Sequence, residues 1–475
     1  MDTPTLAITA CDSYEGRLLA EALATHLEEQ YFQNSLQDSF NGSLPQLICL
    51  ARDIEKVGDI KERPVCKVIQ INYDHPESLT IALRGTQTVV LVPEIEPQRE
   101  EWANNLVDAM VQEKVLRCIV ISSIGTDAKD KDQLRRFSTV EDKVKGSIQR
   151  WTILREGFPF QALFYWAEMV QKEGILGMTI RQDIEFAPLD IANLGDALVA
   201  VMFPSATDHQ QVYDEDREGD NRKVCNITKP ITADLTGLVE PTGGTDRFDG
   251  QIYTLTGPET VTGPKLADEL TRALKQKGCS SADDDNIPLP INYKIIDRNT
   301  LKEYLCRLRK PHKSEYFRII ATDIPGISCA LRLFQQAANF AFGVRAHKPS
   351  FDSMLPVSSS VLRGEEQWKG DGYGDEGGKN VKKDYKEPCG LPGCSNGTDD
   401  SERNHKELKK PECRRPRLDP PNDTEVSLIL QLLDYISEGH AKFQSGDLKK
   451  VAGIRGCNAK QFFEKYALDF RGRPT

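Results

Sequence analysis

Six short, mostly apolar runs in the first third of the chain constrain the fold more than any other feature. They lie at residues 6–9, 47–50, 66–71, 88–92, 118–122 and 151–154. Stretches with helical spacing of apolar residues, such as 16–31 and 98–114, separate several of them. Short strands that are apolar on both faces are typical of a parallel sheet covered by helices, and right-handed crossovers then give a doubly wound α/β domain. The same pattern is also satisfied by an α/β domain without a nucleotide site.

The length and the charge of the chain set the organisation around this sheet. The 475 residues predict two or three domains at about 100–200 residues each. The chain has 72 acidic and 61 basic residues, which gives a net charge of −11. We therefore expect no direct binding to nucleic acid, whose phosphates are also negative. Residues 204–249 are polar and acidic and predict a surface insertion, whereas 357–423 nearly lack apolar side chains and predict a disordered linker. Residues 424–470 regain helical spacing.

Targeting and metal signals are weak. No apolar run approaches the roughly 18 residues of a membrane span, and residues 1–4 lack a basic region, so we expect a cytoplasmic protein that does not enter membranes. The 12 scattered cysteines suit reduced thiols rather than a disulfide framework. The basic cluster at 409–417 is either a nuclear import signal or a solvated part of the linker. Cys389, Cys394, His405 and Cys413 are too irregular in spacing to predict a zinc site, and we predict no metal.

A series of motifs in a fixed order gives the strongest functional signal. These are TACDSYEG at 9–16, WTILREGF at 151–158, DIANLGDA at 190–197, YTLTGPE at 253–259 and VAGIRG at 451–456. Together they resemble the NmrA-like family of atypical short-chain dehydrogenase/reductase proteins over roughly 1–203, 250–305 and 424–470. The resemblance implies NAD(P) binding and a role as a redox sensor or a quinone reductase.

The resemblance also implies an architecture. We expect an α/β fold with a Rossmann-like doubly wound parallel sheet, a smaller α+β C-terminal lobe and disordered insertions. The NAD(P)-binding domain would span 1–160 and be completed by about 186–203 and 250–262. The substrate or partner lobe would combine 161–185, 263–356 and 424–475.

Matching the family's motifs onto this chain yields a set of candidate site residues. For the cofactor they are Thr9, Ser13, Tyr14, Glu15, Gly16, Arg52, Asp74, Pro93, Ser122, Arg155 and Gly157. For a substrate cleft they are Phe158, Phe160 and Phe164. Alternatively, these three rings form ordinary core between the NAD(P)-binding domain and the lobe. Asp190 and Asp196 are expected to cap a helix or fix a loop.

The residues at the predicted dinucleotide turn depart from the family pattern. A guanidinium at Arg52 would fork onto a ribose 2′-phosphate and favour NADP or NADPH over NAD, although the adjacent Asp53 would suit a 2′-hydroxyl. Ala10 and Ser13 replace two glycines, and Asp12 adds a negative charge to a loop meant for anions. The sequence therefore predicts dinucleotide binding that is weakened or lost.

No catalytic residue can be assigned from the sequence. The Tyr-x-x-x-Lys pair that serves ordinary short-chain dehydrogenases has no counterpart between Ser123 and Trp151. Phe137 stands near the place of the lysine used by reductases related to this family, and Lys143 and Lys145 follow on the solvated face of the helix. The leading hypothesis is a redox-responsive regulator with a protein partner, such as a transcription regulator. The alternatives are an NAD(P)H-dependent reductase of a quinone-like acceptor and a scaffold whose nucleotide site has decayed.

Overall fold

The structure, a computed structural model, describes residues 5–35, 45–204, 246–278, 288–309 and 418–470. These residues all belong to one compact unit of the chain. Nearly all of the predicted insertion at 204–249 lies outside them, as does the predicted linker up to 417. The four candidate zinc ligands and the basic cluster at 409–417 also lie outside the described residues.

A seven-stranded parallel sheet forms the centre of the fold. Its strands are β1 (Leu6–Ile8), β2 (Leu47–Ala51), β3 (Cys66–Gln70), β4 (Thr88–Leu91), β5 (Arg117–Ser123), β6 (Arg150–Glu156) and β9 (Gln251–Leu255), in the order β3-β2-β1-β4-β5-β6-β9. Every neighbouring pair is parallel. The order reverses beside β1, as in a doubly wound sheet. The predicted fold class is therefore confirmed.

Helices cover both faces of the sheet. The α-helices of the described residues, including those of the lobe beside the sheet, are α1 (Tyr14–Ser35), α2 (Pro76–Leu83), α3 (Arg99–Gln112), α4 (Asp132–Ser147), α5 (Ala167–Glu173), α6 (Ile191–Met202), α7 (Gly263–Gln276), α8 (Arg298–Arg307), α9 (Asp423–Ser437), α10 (Asp447–Ala452) and α11 (Ala459–Tyr466). One core holds apolar side chains from α1, α6 and α10 against the sheet, and a second holds those of α2, α3 and α4. Because β1, β2 and β4 are fully buried between these two cores, they are almost entirely apolar rather than alternating, whereas the edge strands β3 and β9 are partly exposed.

A third core builds the lobe beside the sheet. It joins α5, α7, α8, α9 and α11 with two short strand pairs: β7 (Ile175–Met178) with β11 (Asn292–Ile295), and β8 (Glu185–Phe186) with β10 (Val261–Thr262). The chain after residue 424 contributes to more than this lobe, because Leu448 and Val451 of α10 pack in the core of the sheet domain.

Local sequence signals explain several helix ends. The Asp190 carboxylate accepts the Ala192 backbone N–H at 3.0 Å and so caps α6, as the sequence predicts. Capping boxes begin α9, at Asn422 with Glu425, and α11, at Asn458 with Gln461. Across the described ranges, no helix is both long and apolar enough to span a bilayer.

Candidate functional site

The turn after β1 brings its backbone close to the start of α1. Ala10 has a φ of 53°, the left-handed conformation that usually calls for glycine. A Cβ on Gly16 would lie 2.1 Å from the Ala10 carbonyl oxygen, so only glycine lets α1 pack this closely on the turn. The Ser13 hydroxyl accepts the Gly16 N–H at 3.0 Å. That N–H at the start of α1 is consequently used within the protein rather than presented to an anion.

A cavity of about 360 Å³ opens from this turn. It lies at the carboxyl ends of β1, β2, β4, β5 and β6, where open α/β sheets bind their ligands. The predicted site residues that line it are Ser13, Tyr14, Glu15, Arg52, Pro93, Ser122 and Phe158. Its far wall comes from the start of α9 and from residues 418–422, which we call the strap.

The remaining predicted residues are used in the fold itself. The Thr9 hydroxyl donates to the Val92 carbonyl at 3.0 Å and accepts the Val92 N–H at 2.9 Å, which links β1 to the chain after β4. Asp74 accepts the Trp102 indole N–H at 2.7 Å. A Cβ on Gly157 would lie 3.2 Å from two carbonyl oxygens, so this glycine permits close contact between backbones inside the protein.

The two aromatic residues Phe160 and Phe164 lie away from the cavity. Their rings stack on Phe462 of α11 at centroid distances of 4.5 and 5.9 Å. Phe160 is 1 % exposed and belongs to the core of the lobe. Only Phe158 of the proposed cleft residues therefore contributes to the cavity wall.

Glu141 on α4 organises two of the predicted cofactor residues. It is fully buried and accepts hydrogen bonds from the Ser122 hydroxyl at 2.6 Å and from Arg155 Nε and Nη2 at 2.8 and 2.7 Å. These contacts hold the Arg155 guanidinium on α4 instead of in the cavity. Our sequence analysis missed Glu141, although it shares the buried face of α4 with Phe137 and Val144 at helical spacing.

Arg52, the candidate 2′-phosphate ligand, is held by internal carboxylates. Its Nη2 lies 3.2 Å from Glu94 Oε2 and 3.3 Å from Glu96 Oε1, and its guanidinium lies 5.0 Å from the centroid of the Trp102 ring. Glu94 is 7 % exposed, and burial raises the pKa of its carboxyl to about 8 although Arg52 opposes this rise.

Lys56, the second cation on the cavity wall, is paired with the strap. Asp419 Oδ2 lies 3.2 Å from Lys56 Nζ, and the Asn422 side-chain amide donates to the Ile95 carbonyl at 2.9 Å. These strap residues belong to the segment whose composition predicted a linker. Nothing local in the sequence indicated their contacts with the sheet domain, because the partners are 363 and 327 positions apart.

Carboxyl groups outnumber cations on the cavity walls. Seven line it, from Asp12, Glu15, Glu94, Glu96, Glu156, Asp419 and Glu425, against two cations, Arg52 and Lys56. Asp12 Oδ2 accepts the Asp53 backbone N–H at 3.1 Å. A dinucleotide at this turn would meet carboxylates and cations that are already paired, so its binding requires Arg52 and Lys56 to exchange their present partners.

Glu15 and Glu156 face the same cavity from α1 and from the end of β6. Burial raises the pKa of Glu15 to about 7, and burial together with the neighbouring Glu15 charge raises the pKa of Glu156 well above its usual value. One oxygen on each, Glu15 Oε1 and Glu156 Oε2, is closed off from solvent and has no hydrogen-bond partner. Both carboxyls therefore have a pKa above that of an exposed glutamate.

The described residues supply no proton relay of the dehydrogenase type. Phe137, not a lysine, lines the cavity at the position considered above. Lys143 and Lys145 instead lie 2.6 Å from Asp108 and 3.1 Å from Asp142. Among the described residues, no three His, Cys, Asp or Glu side chains are arranged to hold a metal ion.

Comparisons with known proteins agree with this fold. Residues 43–161 match a family described as NAD(P)H-binding. Triphenylmethane reductase from Citrobacter sp. is 12 % identical with a TM-score of 0.51, covering 98 % of this chain and 99 % of that one. An NADPH-dependent quinone oxidoreductase from Escherichia coli is 14 % identical with a TM-score of 0.50, covering 97 % and 98 %. No curated protein sequence matches the chain.

These findings define a class. Residues 43–161 match an NAD(P)H-binding family and form part of a Rossmann-like parallel sheet, which is consistent with the resemblance to NmrA-like atypical short-chain dehydrogenase/reductase proteins. At these identities, the structural neighbours show the fold alone.

Proposed function

We propose that this protein is an NADP(H)-responsive regulator rather than a reductase. The observation that carries the proposal is the ion pair between Lys56 and Asp419, which ties the strap to the short 3-10 turn that follows β2. A 2′-phosphate that binds at Arg52 and Lys56 would take over the cation that holds the strap. Dinucleotide binding would thus be coupled to release of the strap and of the α9 segment that follows it.

The lack of an activated acid supports regulation over catalysis. The tyrosines that line the cavity are Tyr14 and Tyr165, and burial raises the pKa of both above the ordinary value. A tyrosine that donates a proton during hydride transfer needs the opposite change, which a neighbouring lysine normally provides. On the cavity wall that position holds Phe137.

Isothermal titration of the full chain with NADPH, NADP and NADH tests the proposal. We expect Asp419→Asn to tighten NADPH binding by at most about fivefold, because an exposed ion pair contributes roughly 0.2–1 kcal/mol. Lys56→Ala should remove the preference for NADPH over NADH. Glu55→Gln is the matched control, since its side chain is 81 % exposed and the residue is not among those lining the cavity.

Limited proteolysis at the strap provides the regulatory readout. NADPH at saturating concentration should increase chymotryptic cleavage after Leu418 in the wild-type chain, and Asp419→Asn should be cleaved there faster without ligand. No dinucleotide binding at millimolar concentration, or binding that leaves strap cleavage unchanged, would overturn the proposal.

A reductase remains the second candidate because part of the cavity wall is apolar. Phe158, Leu428, Ile429 and Leu432 present a surface suited to a planar acceptor. Oxidation of NADPH by the purified protein in the presence of a soluble quinone would establish this activity. Sustained turnover that depends on Phe158 would favour the reductase over the regulator.

A further inference from the structure

The hydroxyl of Ser122 is a polar group on the cavity wall whose hydrogen-bonding direction is fixed from behind. Ser122 lies at the end of β5, is 1 % exposed and lines the cavity. Glu141 on α4 accepts a hydrogen bond from it, is fully buried and is not among the residues that line the cavity. The serine therefore lies between the cavity and a buried carboxylate.

The described partners of the Glu141 carboxylate are all donors. Its Oε1 lies 2.6 Å from Ser122 Oγ and 2.8 Å from Arg155 Nε. Its Oε2 lies 2.7 Å from Arg155 Nη2 and 3.5 Å from Lys145 Nζ. A guanidinium and an ammonium group can only donate, so the carboxylate accepts in each of these contacts.

This arrangement determines what Ser122 offers to a ligand. A serine hydroxyl has one proton to donate and two lone pairs that accept. The 2.6 Å contact with Glu141 is a short, charge-assisted hydrogen bond that uses this one proton. Toward the cavity, Ser122 can consequently act only as an acceptor, which suits a ligand O–H or N–H group and disfavours a carbonyl oxygen.

A neighbouring aromatic ring indicates what kind of molecule would carry the O–H group. Phe137 lies one helical turn before Glu141 on the buried face of α4, and it lines the cavity. A hydrogen-bond acceptor and an aromatic side chain thus belong to the same part of the wall. A flat aromatic body with a hydroxyl group fits both, and the cavity of about 360 Å³ has room for it.

We propose that Ser122 accepts a hydrogen bond from the hydroxyl group of an aromatic alcohol or phenol in the cavity, and that Glu141 is the positioning residue that fixes this direction. The site then prefers the alcohol to the corresponding ketone or quinone. This inference deepens the proposed function and rests on it for its regulatory meaning, since it names the class of small molecule that binds at the same cavity. A serine without a free proton also cannot assist the reduction of a carbonyl group there.

The test uses two probes with the same ring skeleton, 1-indanol and 1-indanone. They differ at one carbon, which carries a hydroxyl group that donates in the first and a carbonyl that only accepts in the second. Each is titrated calorimetrically into the full chain without dinucleotide. We expect 1-indanol to bind about two- to tenfold more tightly than 1-indanone, which is the effect of one hydrogen bond.

Two variants separate the roles of the serine and of the carboxylate. Ser122→Ala removes the acceptor, so the ratio of the two affinities should fall to about one. Glu141→Leu combined with Arg155→Leu replaces the buried pair without leaving an unpaired charge, and it frees the serine proton. In this double variant the preference should reverse in favour of 1-indanone. Ser138→Ala is the matched control, because that hydroxyl donates to the Arg135 carbonyl on α4 and Ser138 is not among the lining residues.

Thermal unfolding of each variant establishes that it is folded before the affinities are compared. A wild-type chain that binds neither probe, or that binds 1-indanone as tightly as 1-indanol, would overturn the proposal. A wild-type ratio retained in Ser122→Ala would do the same, and a retained preference for the alcohol in the double variant would remove the positioning role of Glu141. Parallel titrations with NADPH keep the two ideas apart: failure to bind NADPH with the alcohol preference intact concerns only the regulatory function.

Discussion

Glu94 offers a stability test of the charge state of the cavity. Burial raises the pKa of its carboxyl from 4.5 to about 8 in the folded protein. Because the folded pKa lies above the unfolded value, the contribution to stability is fully present below pH 4.5 and is lost as pH rises through 8. Glu94→Gln keeps the size and an oxygen that can accept from Arg52, but it removes the titration.

The magnitude follows from the pKa change. At about 1.4 kcal/mol for each pH unit, the wild-type chain should lose about 5 kcal/mol of unfolding free energy at this residue between pH 4 and pH 9. The glutamine variant should not lose it. We therefore expect the variant to gain about 3 to 4 kcal/mol relative to the wild type between pH 5 and pH 8.

Urea unfolding followed by far-ultraviolet circular dichroism at pH 5, 6.5 and 8 measures this difference. Glu55→Gln, whose carboxyl is exposed, should follow the wild type at each pH. The reasoning is refuted if Glu94→Gln differs from the wild type by the same amount at every pH, or if it becomes less stable relative to the wild type as pH rises.

Three further substitutions test contacts within the fold, each by equilibrium unfolding. Gly16→Ala should destabilise the protein by about 2–3 kcal/mol or more, because the new Cβ would lie 2.1 Å from a carbonyl oxygen; a neutral effect would contradict the close packing of α1. Glu141→Ala should cost about 3–5 kcal/mol, since it leaves Arg155 partly buried without its partner, and Glu141→Gln should cost less. Phe462→Ala should cost about 3–5 kcal/mol with ligand binding unchanged, because its ring stacks on Phe160 in the core; a loss of ligand binding at unchanged stability would place Phe160 in the cavity instead.

Much of the fold could be predicted because its signals are local. A strand buried on both faces must be apolar at consecutive positions, and the six predicted strands match β1 to β6 closely. The Asp190 cap was recognisable for the same reason, since its carboxylate meets a backbone N–H two residues away.

The contacts made by individual site residues could not be recognised from local sequence signals. Ser122 and Arg155 are where the motifs placed them, at the ends of β5 and β6, but both side chains bind Glu141. Phe160 and Phe164 follow β6 as expected, but α11 returns from the end of the chain to cover them. The motifs predicted the position of each residue along the fold, but they did not predict which residues its side chain contacts.

The sequence by itself determined the parallel sheet, the helical C-terminal segment and the altered turn at Ala10, Asp12 and Ser13. Only the tertiary structure decided the charge balance of the cavity, because its carboxyls come from four separate stretches of chain, from Asp12 to Glu425. The physical reason is the distance along the chain over which each interaction acts. Backbone periodicity and capping act within a few residues, whereas the pKa of a buried carboxyl depends on every charge and on all the protein that closes around it.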